Sequence, residues 1–205
     1  MNEPQQPRSP AASRRPLIAV ALLFAVPLFI AFILYYGELW RPAKSTEHGD
    51  LIHPARPLPE IALPKIDGGA TAANFLREKW SLVFIGDGRC DERCRAALGD
   101  IQRARELLGK DISRVQSVFL ASEQCCDVEF FRSTHPQLIA ARIDTNDAAP
   151  FVEVFPLYGN VPLKNAGRIY IVDPLGNLMM SYAPDANSVG MYDDLKKLLK
   201  LSHIG

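Results

Sequence analysis

Apolar residues along this chain gather into one long run and several short ones. Leu17 to Tyr36 (LIAVALLFAVPLFIAFILYY) carries no charge over about twenty residues, the length at which a helix crosses the hydrocarbon core of a bilayer. It predicts a membrane anchor. Further on, Trp80 to Ile85 (WSLVFI) is a compact aromatic and β-branched run ahead of a Gly/Asp turn, the pattern of a strand buried on both faces. From Asp91 to Leu108 the apolar positions Cys94, Ala97, Leu98, Ile101, Ala104, Leu107 and Leu108 follow the three-and-four spacing of an amphipathic helix, and Gly109 supplies its stop. Val115 to Leu120 predicts a second strand, and Asp127 to His135 a short helix ending before Pro136. Arg168 to Asp173 (RIYIVD) and Leu178 to Tyr182 (LMMSY) flank the turn Pro174-Leu175-Gly176-Asn177 and predict an antiparallel hairpin, which a helix over Val189 to Leu201 follows.

These elements divide the chain into a tail (1–16), a transmembrane helix (17–36), a proline-rich flexible tether (37–56) and one domain (57–205). Pro57, Pro59 and Pro64 bracket Ile61-Ala62-Leu63, a stretch suited to an edge strand. A strand-helix-strand unit followed by a hairpin and a helix is the plan of the thioredoxin fold: an α/β domain with a central mixed sheet flanked by helices. Secondary structure alone does not select that fold, and the cysteines narrow the choice.

Charge sets orientation and removes one class of function. Arg8, Arg14 and Arg15 precede the apolar run, whereas Glu38 and then Arg41 follow it, so the positive-inside rule predicts an N-terminus in the cytoplasm and a domain in the periplasm, held to the inner membrane by one span. A cleaved signal peptide is the competing reading, but the run is too long and no small-x-small site follows it. Ser13-Arg14-Arg15 fits a twin-arginine signal poorly, because Pro16 and a strongly apolar run come next. With 23 basic and 23 acidic residues well mixed, the chain carries no electrostatic footprint for nucleic acid. Nor does it contain a G-x-S-x-G elbow, paired zinc histidines or a phosphate-binding glycine loop, the usual marks of a hydrolase.

Four cysteines are few for a disulfide scaffold, yet export places them where disulfides and thiol exchange operate. Cys90 and Cys94 fall where the first central strand turns into the long helix. Free amides and the helix dipole lower a thiol pKa there; Arg89, Arg93 and Arg95 push the same way, while Asp91 and Glu92 oppose it. Four residues apart on one helical turn, the two sulfurs can close a disulfide or hold one soft metal ion. An inert structural bridge is the plain alternative, but closing so short a loop restricts the unfolded chain little.

The segments WSLVFIGDGRCDERC and RIYIVDPLGN, with the helix between them, resemble the thioredoxin-like proteins of the Sco/SenC group, and especially the small membrane-anchored Sco-like proteins associated with cytochrome c oxidase assembly in bacteria. The resemblance spans roughly Pro57 to Leu201 together with the anchor. It implies copper(I) handling, or reduction of cysteines at the oxidase's binuclear copper site, with Cys90 and Cys94 as the two sulfur ligands and oxidase subunits or other copper and redox assembly factors as partners. The group's third ligand is a histidine shortly before the strand matching RIYIVDP. This chain has Lys164-Asn165-Ala166-Gly167 there.

The remaining candidates read mostly as structural. His135 is placed at a helix end, in a surface or capping role, while His48 and His53 in the tether and His203 near the C-terminus are expected to be solvated. Cys125 and Cys126 follow the second strand and could resolve a mixed disulfide or extend a copper site. Met179 and Met180 are expected to pack, one on each side of the sheet. Pro162 resembles the cis-proline that faces the cysteines in thioredoxins. Between the two cysteines, Cys90 is expected to be the more exposed, attacking thiolate and Cys94 the resolving one. Three functions follow: a Sco-like assembly factor or metallochaperone, a general thiol-disulfide oxidoreductase, and a scaffold that binds oxidase subunits with its cysteines permanently bridged.

Overall fold

The structure, a computed structural model, describes residues 15–36, 47–123, 128–202 and 204. The chain divides into two units, Met1–Ser45 and Thr46–Gly205. In the first, helix α1 (Arg15–Tyr36) contains Pro27 and is long and apolar enough over Arg15–Leu34 to cross a membrane. Twenty helical residues rise about 30 Å, the thickness of the hydrocarbon core.

The second unit runs in the order β1 (Asp50–Pro57), β2 (Trp80–Gly86), α2 (Glu92–Glu106), β3 (Val115–Ala121), α3 (Val128–Thr134), β4 (Leu138–Arg142), α4 (Ala149–Val152), α5 (Leu163–Ala166), β5 (Ile169–Val172), β6 (Asn177–Tyr182) and α6 (Ser188–Leu201). Its six strands form one mixed sheet ordered β1-β6-β5-β2-β3-β4. β2, β3 and β4 are parallel, whereas β5 runs antiparallel to both β2 and β6, and β1 to β6. Both expected units, strand-helix-strand and hairpin-helix, are therefore present.

Alternation along the central strands builds two cores. Trp80, Leu82 and Phe84 of β2 face one side, with Leu98 and Ile101 of α2 and Leu195 and Leu199 of α6. Val83 and Ile85 face the other, with Leu63, Leu76, Phe151 and Phe155. Because both faces of β2 are covered, its sequence is continuously apolar and every residue of it is buried.

Three expectations are corrected here. The tether does not extend to residue 56: residues 50–57 form the edge strand β1, and Ile61-Ala62-Leu63, the expected edge strand, lies outside every strand. β1 was hidden because Pro54 and Pro57 interrupt the strand pattern; proline lacks the donor a central strand needs but is tolerated at an edge, and the β1–β6 register shifts between Leu51 and Arg56. Met179 and Met180 do not divide across the sheet either. The β5–β6 register slips so that Val172 faces Leu178 while Ile171 faces Met180, leaving Met179 as the extra residue of a bulge. Met180 is buried in the α2/α6 core, and Met179 packs against that same core.

His48 is not solvated tether. Its backbone N–H donates to Asp194 Oδ2 at 2.8 Å and that of Gly49 to the same oxygen at 3.2 Å, while the His48 ring Nδ1 lies 3.3 Å from Oδ1. Asp194, buried on α6, also accepts from the Tyr182 hydroxyl at 3.1 Å. The carboxylate thus ties the start of the domain to its last helix. At the opposite edge of the sheet β4 is partly covered: Arg142 N–H donates to the Pro64 carbonyl at 2.8 Å, and Ile66 N–H to that of Ala140 at 3.1 Å.

Candidate functional site

The site lies where β2 ends. Gly86 closes the strand in a space that admits no side chain, since a Cβ there would come within 2.9 Å of the Phe84 ring. Ser122 fastens the neighbouring strand end, its N–H and hydroxyl both donating to the Gly86 carbonyl at 3.0 and 3.1 Å. The loop Asp87-Gly88-Arg89-Cys90 then turns into α2. Asp87 organises it: its Oδ1 accepts the Arg89 N–H at 2.9 Å, its Oδ2 accepts from Arg89 Nη2 at 3.0 Å, and its carbonyl accepts the Cys90 N–H at 3.0 Å. The side-chain hydrogen bond from Arg89 holds the Asp87 carboxyl below the usual carboxylate range. The turn leaves Cys90 at φ 45°, in the left-handed region that residues with a side chain seldom occupy.

Asp91 caps α2, its Oδ1 accepting the Cys94 N–H at 3.0 Å. Arg95, one residue further, donates from Nε to the Cys90 carbonyl at 3.2 Å and lies over the Phe130 ring of α3 at 4.4 Å. Within this frame Cys90 and Cys94 are joined by a disulfide, their Cα atoms 5.0 Å apart. Both are buried, at 2 % and 3 % exposure, so the expectation that Cys90 is the more exposed sulfur is not met. A cleft of about 430 Å³ borders the pair; Cys94 lines it, together with Asp87, Arg89, Asp91 and Arg93 on one side and Lys164, Asn165 and Gly167 on the other.

The short helix α5 therefore sits where the resemblance places a histidine, and it offers the cleft Lys164 and Asn165. Lys164 is ion-paired with Glu123. Pro162 caps α5 with φ −58° and ψ 145°, and its peptide bond is trans, the one cis bond among the described residues being His53–Pro54. The match to the thioredoxin cis-proline is thereby withdrawn. His135 is not brought to the cysteines: its ring stacks edge-on against Phe130 at 5.7 Å and lines separate clefts with Pro136 and Leu138, and burial pushes its pKa down. No cluster of three or more His, Cys, Asp or Glu side chains suited to a metal ion occurs among the described residues. Cys125, Cys126 and His203 lie outside those residues.

What the sequence reading missed at this site is the pairing of the charges. The Asp-x-Arg spacing of Asp87 and Arg89 at a turn was its available signal, since an Asp side chain readily bonds the backbone two residues on.

Residues 80–202 match the family model described as "Transmembrane-like, thioredoxin-like, C-terminal domain". No curated protein matches the chain in sequence. Among solved structures, the chain is similar to the apo Sco1 protein of Thermus thermophilus at 21 % identity and a TM-score of 0.61, over 76 % of this chain and 99 % of that one. It is similar to Bradyrhizobium japonicum ScoI with copper bound at 21 % identity and a TM-score of 0.54, over 69 % and 98 %. A thiol:disulfide interchange protein of the thioredoxin family from Chlorobium tepidum matches at 16 % identity and a TM-score of 0.53, over 72 % and 99 %. At these identities the likeness establishes a thioredoxin-like fold.

Proposed function

The chain belongs to the family of transmembrane-like proteins with a thioredoxin-like C-terminal domain, and from that premise we propose that it is a membrane-anchored, Sco-like factor for cytochrome c oxidase assembly. It works by thiol-disulfide exchange through Cys90 and Cys94. The observation that carries this reading is the Cys90–Cys94 disulfide at the strand-to-helix junction beside an open cleft. The arginines ahead of α1 support an N-terminus in the cytoplasm and a domain in the periplasm.

The exchange balances with sulfur alone. A partner thiolate attacks one sulfur of the bridge through the cleft, forming a mixed disulfide, and the other cysteine leaves as a thiolate that takes up a proton. A second partner thiolate attacks its own sulfur in the mixed disulfide and releases the remaining cysteine. The chain ends as a dithiol and the partner as a disulfide. The reverse sequence reduces a partner disulfide, and the two potentials fix the direction.

Copper(I) is the cargo suggested by the copper-bound ScoI neighbour. Among the described residues it would meet only the two sulfurs, because α5 presents Lys164 and Asn165 in place of a histidine. That donor set does not fit a three-ligand site.

The test is replacement of Cys90 and Cys94 by serine in the cell that makes the protein, reading oxidase activity and membrane copper content. Loss of active oxidase is expected, and each single replacement should trap a mixed disulfide with an oxidase subunit. Full oxidase activity in the double variant would point instead to a scaffold. Broad failure of periplasmic disulfide exchange with intact oxidase would point to a general oxidoreductase, the activity named for the Chlorobium neighbour.

A further inference from the structure

One of the two clefts bordered by His135 opens towards the C-terminal end of α2 and shares no lining residue with the cleft beside Cys94. It holds about 200 Å³, room for a small ligand and less than a drug-sized one needs. Leu98, Ile101, Ile112, Pro136 and Leu138 give it apolar walls, and Arg105, in the last turn of α2, supplies its cation.

A helix C-terminus favours a positive side chain, which accounts for an arginine at this position. Its stem is fixed by the start of β3, where Arg105 Nε donates to the Val115 carbonyl at 2.9 Å. The tip is held loosely. Nη1 lies 3.4 Å from Ser117 Oγ and Nη2 3.5 Å from Gln137 Oε1, both long for a charged donor, whose bonds are usually about 2.7–2.9 Å. A guanidinium also carries more N–H donors than these contacts use. Other partly buried arginines meet carboxylates: Arg168 with Asp50, Arg77 with Glu60 and Arg114 with Asp111. Arg105 forms no ion pair among the described residues. Glu106 borders the same cleft, but its Oε1 accepts instead from Gln102 at 2.8 Å. Burial pushes the Arg105 pKa down and Glu106 offsets part of that effect, so the charge is half-desolvated and short of a counter-ion. His135 adds a second open donor. Its ring touches Phe130 edge-on at 5.7 Å, and neither ring nitrogen has a hydrogen-bond partner among the described residues.

We propose that this cleft binds a small organic acid, its carboxylate on the Arg105 guanidinium and the His135 ring and its apolar body against Leu98, Ile101 and Leu138. A carboxylate matches the flat edge of a guanidinium with two parallel hydrogen bonds. Apolar walls keep water from those bonds and strengthen them. The same chemistry is carried by a free monocarboxylic acid and by the C-terminus of a peptide that ends in an apolar residue.

The experiment titrates the full ¹⁵N-labelled chain in detergent micelles with benzoate and with its neutral counterpart benzamide, following the amide signals of Ser117, His135 and Leu138 by NMR. Benzoate should give a saturable shift and benzamide none. Gln137→Glu changes an exposed side chain and sets a resident carboxylate beside Arg105 Nη2, so it should weaken benzoate at least about tenfold. Arg105→Gln should do the same, and Glu106→Gln should tighten binding by removing a like charge. An arginine that only ties α2 to β3 predicts none of these changes. Equal shifts with benzoate and benzamide, undiminished benzoate binding in Gln137→Glu, or no saturable shift at all would overturn the proposal. Displacement of benzoate by an acetylated dipeptide ending in leucine, and not by its C-terminal amide, assigns the site to a chain end; indifference to that peptide assigns it to a free acid.

Discussion

Asp91 and Asp194 each accept backbone amide hydrogens, one at the start of α2 and one from the residues ahead of β1. Asp91 takes its hydrogen from Cys94, three residues on, whereas Asp194 takes two from His48 and Gly49, the former 146 residues away. Asp91 is exposed; the Asp194 side chain is 1 % exposed and also receives the Tyr182 hydroxyl. The same acceptor chemistry therefore serves two ends. In water it caps a helix, and in the interior it fixes where the chain enters the fold. The difference lies in solvent, because donors stripped of water have no substitute when the carboxylate is removed.

The largest effect should come from the buried partner. Asp194→Ala leaves two backbone donors and a hydroxyl without an acceptor and should lower stability by about 3 kcal/mol, read by urea denaturation of the full chain in detergent. A loss under about 1 kcal/mol would erase the contrast between the two carboxylates.

Two tyrosines sharpen it next. The Tyr182 hydroxyl is held by Asp194, whereas that of Tyr170 is buried with no partner among the described residues. Tyr182→Phe should cost about 1 kcal/mol, and Tyr170→Phe should be neutral or stabilise by up to about 1 kcal/mol. Their alkaline behaviour follows with a definite sign. Burial pushes the Tyr170 hydroxyl up to about 12 and raises that of Tyr182 as well. The stability tied to these neutral hydroxyls is complete below the unfolded value near 10 and is lost as pH climbs from there towards 12. Tyr170→Phe should flatten that alkaline limb in a pH-melting series; an unchanged limb would mean another group controls it.

At the exposed end, Asp91→Ala should cost about 1 kcal/mol through the lost cap, while Asp91→Asn should remain within a few tenths of wild type. If Asn proves as damaging as Ala, charge and not capping is what stabilises the helix start. Smallest of all, Arg89→Ala should leave the denaturation midpoint unmoved, since its side chain is 84 % exposed. The Asp87 carboxyl should nevertheless rise towards its ordinary value once the Arg89 hydrogen bond is gone, as an NMR titration can follow.

How much of this was legible varied from element to element. The run Trp80–Ile85 announced a strand buried on both faces, and the spacing of Cys94, Leu98, Ile101 and Ala104 announced a helix with one buried face. The edge strands were not legible. β1 contains Pro54 and Pro57, and β4 is five residues of mixed burial, so each takes its conformation from a neighbour and not from its own pattern. The packing of both methionines on one core was equally hidden, because the bulge that turns Met180 is set by pairing with β5.

The sequence by itself determined the apolar span, the central strands, the long helices and the placing of Cys90 and Cys94 at a helix start, because each depends on periodicity or spacing within a few residues. Tertiary structure alone decided that Lys164 and Asn165 face Cys94 across the cleft. It also decided that His48 closes on Asp194. Most of these depend on which distant segments meet once water is excluded from between them.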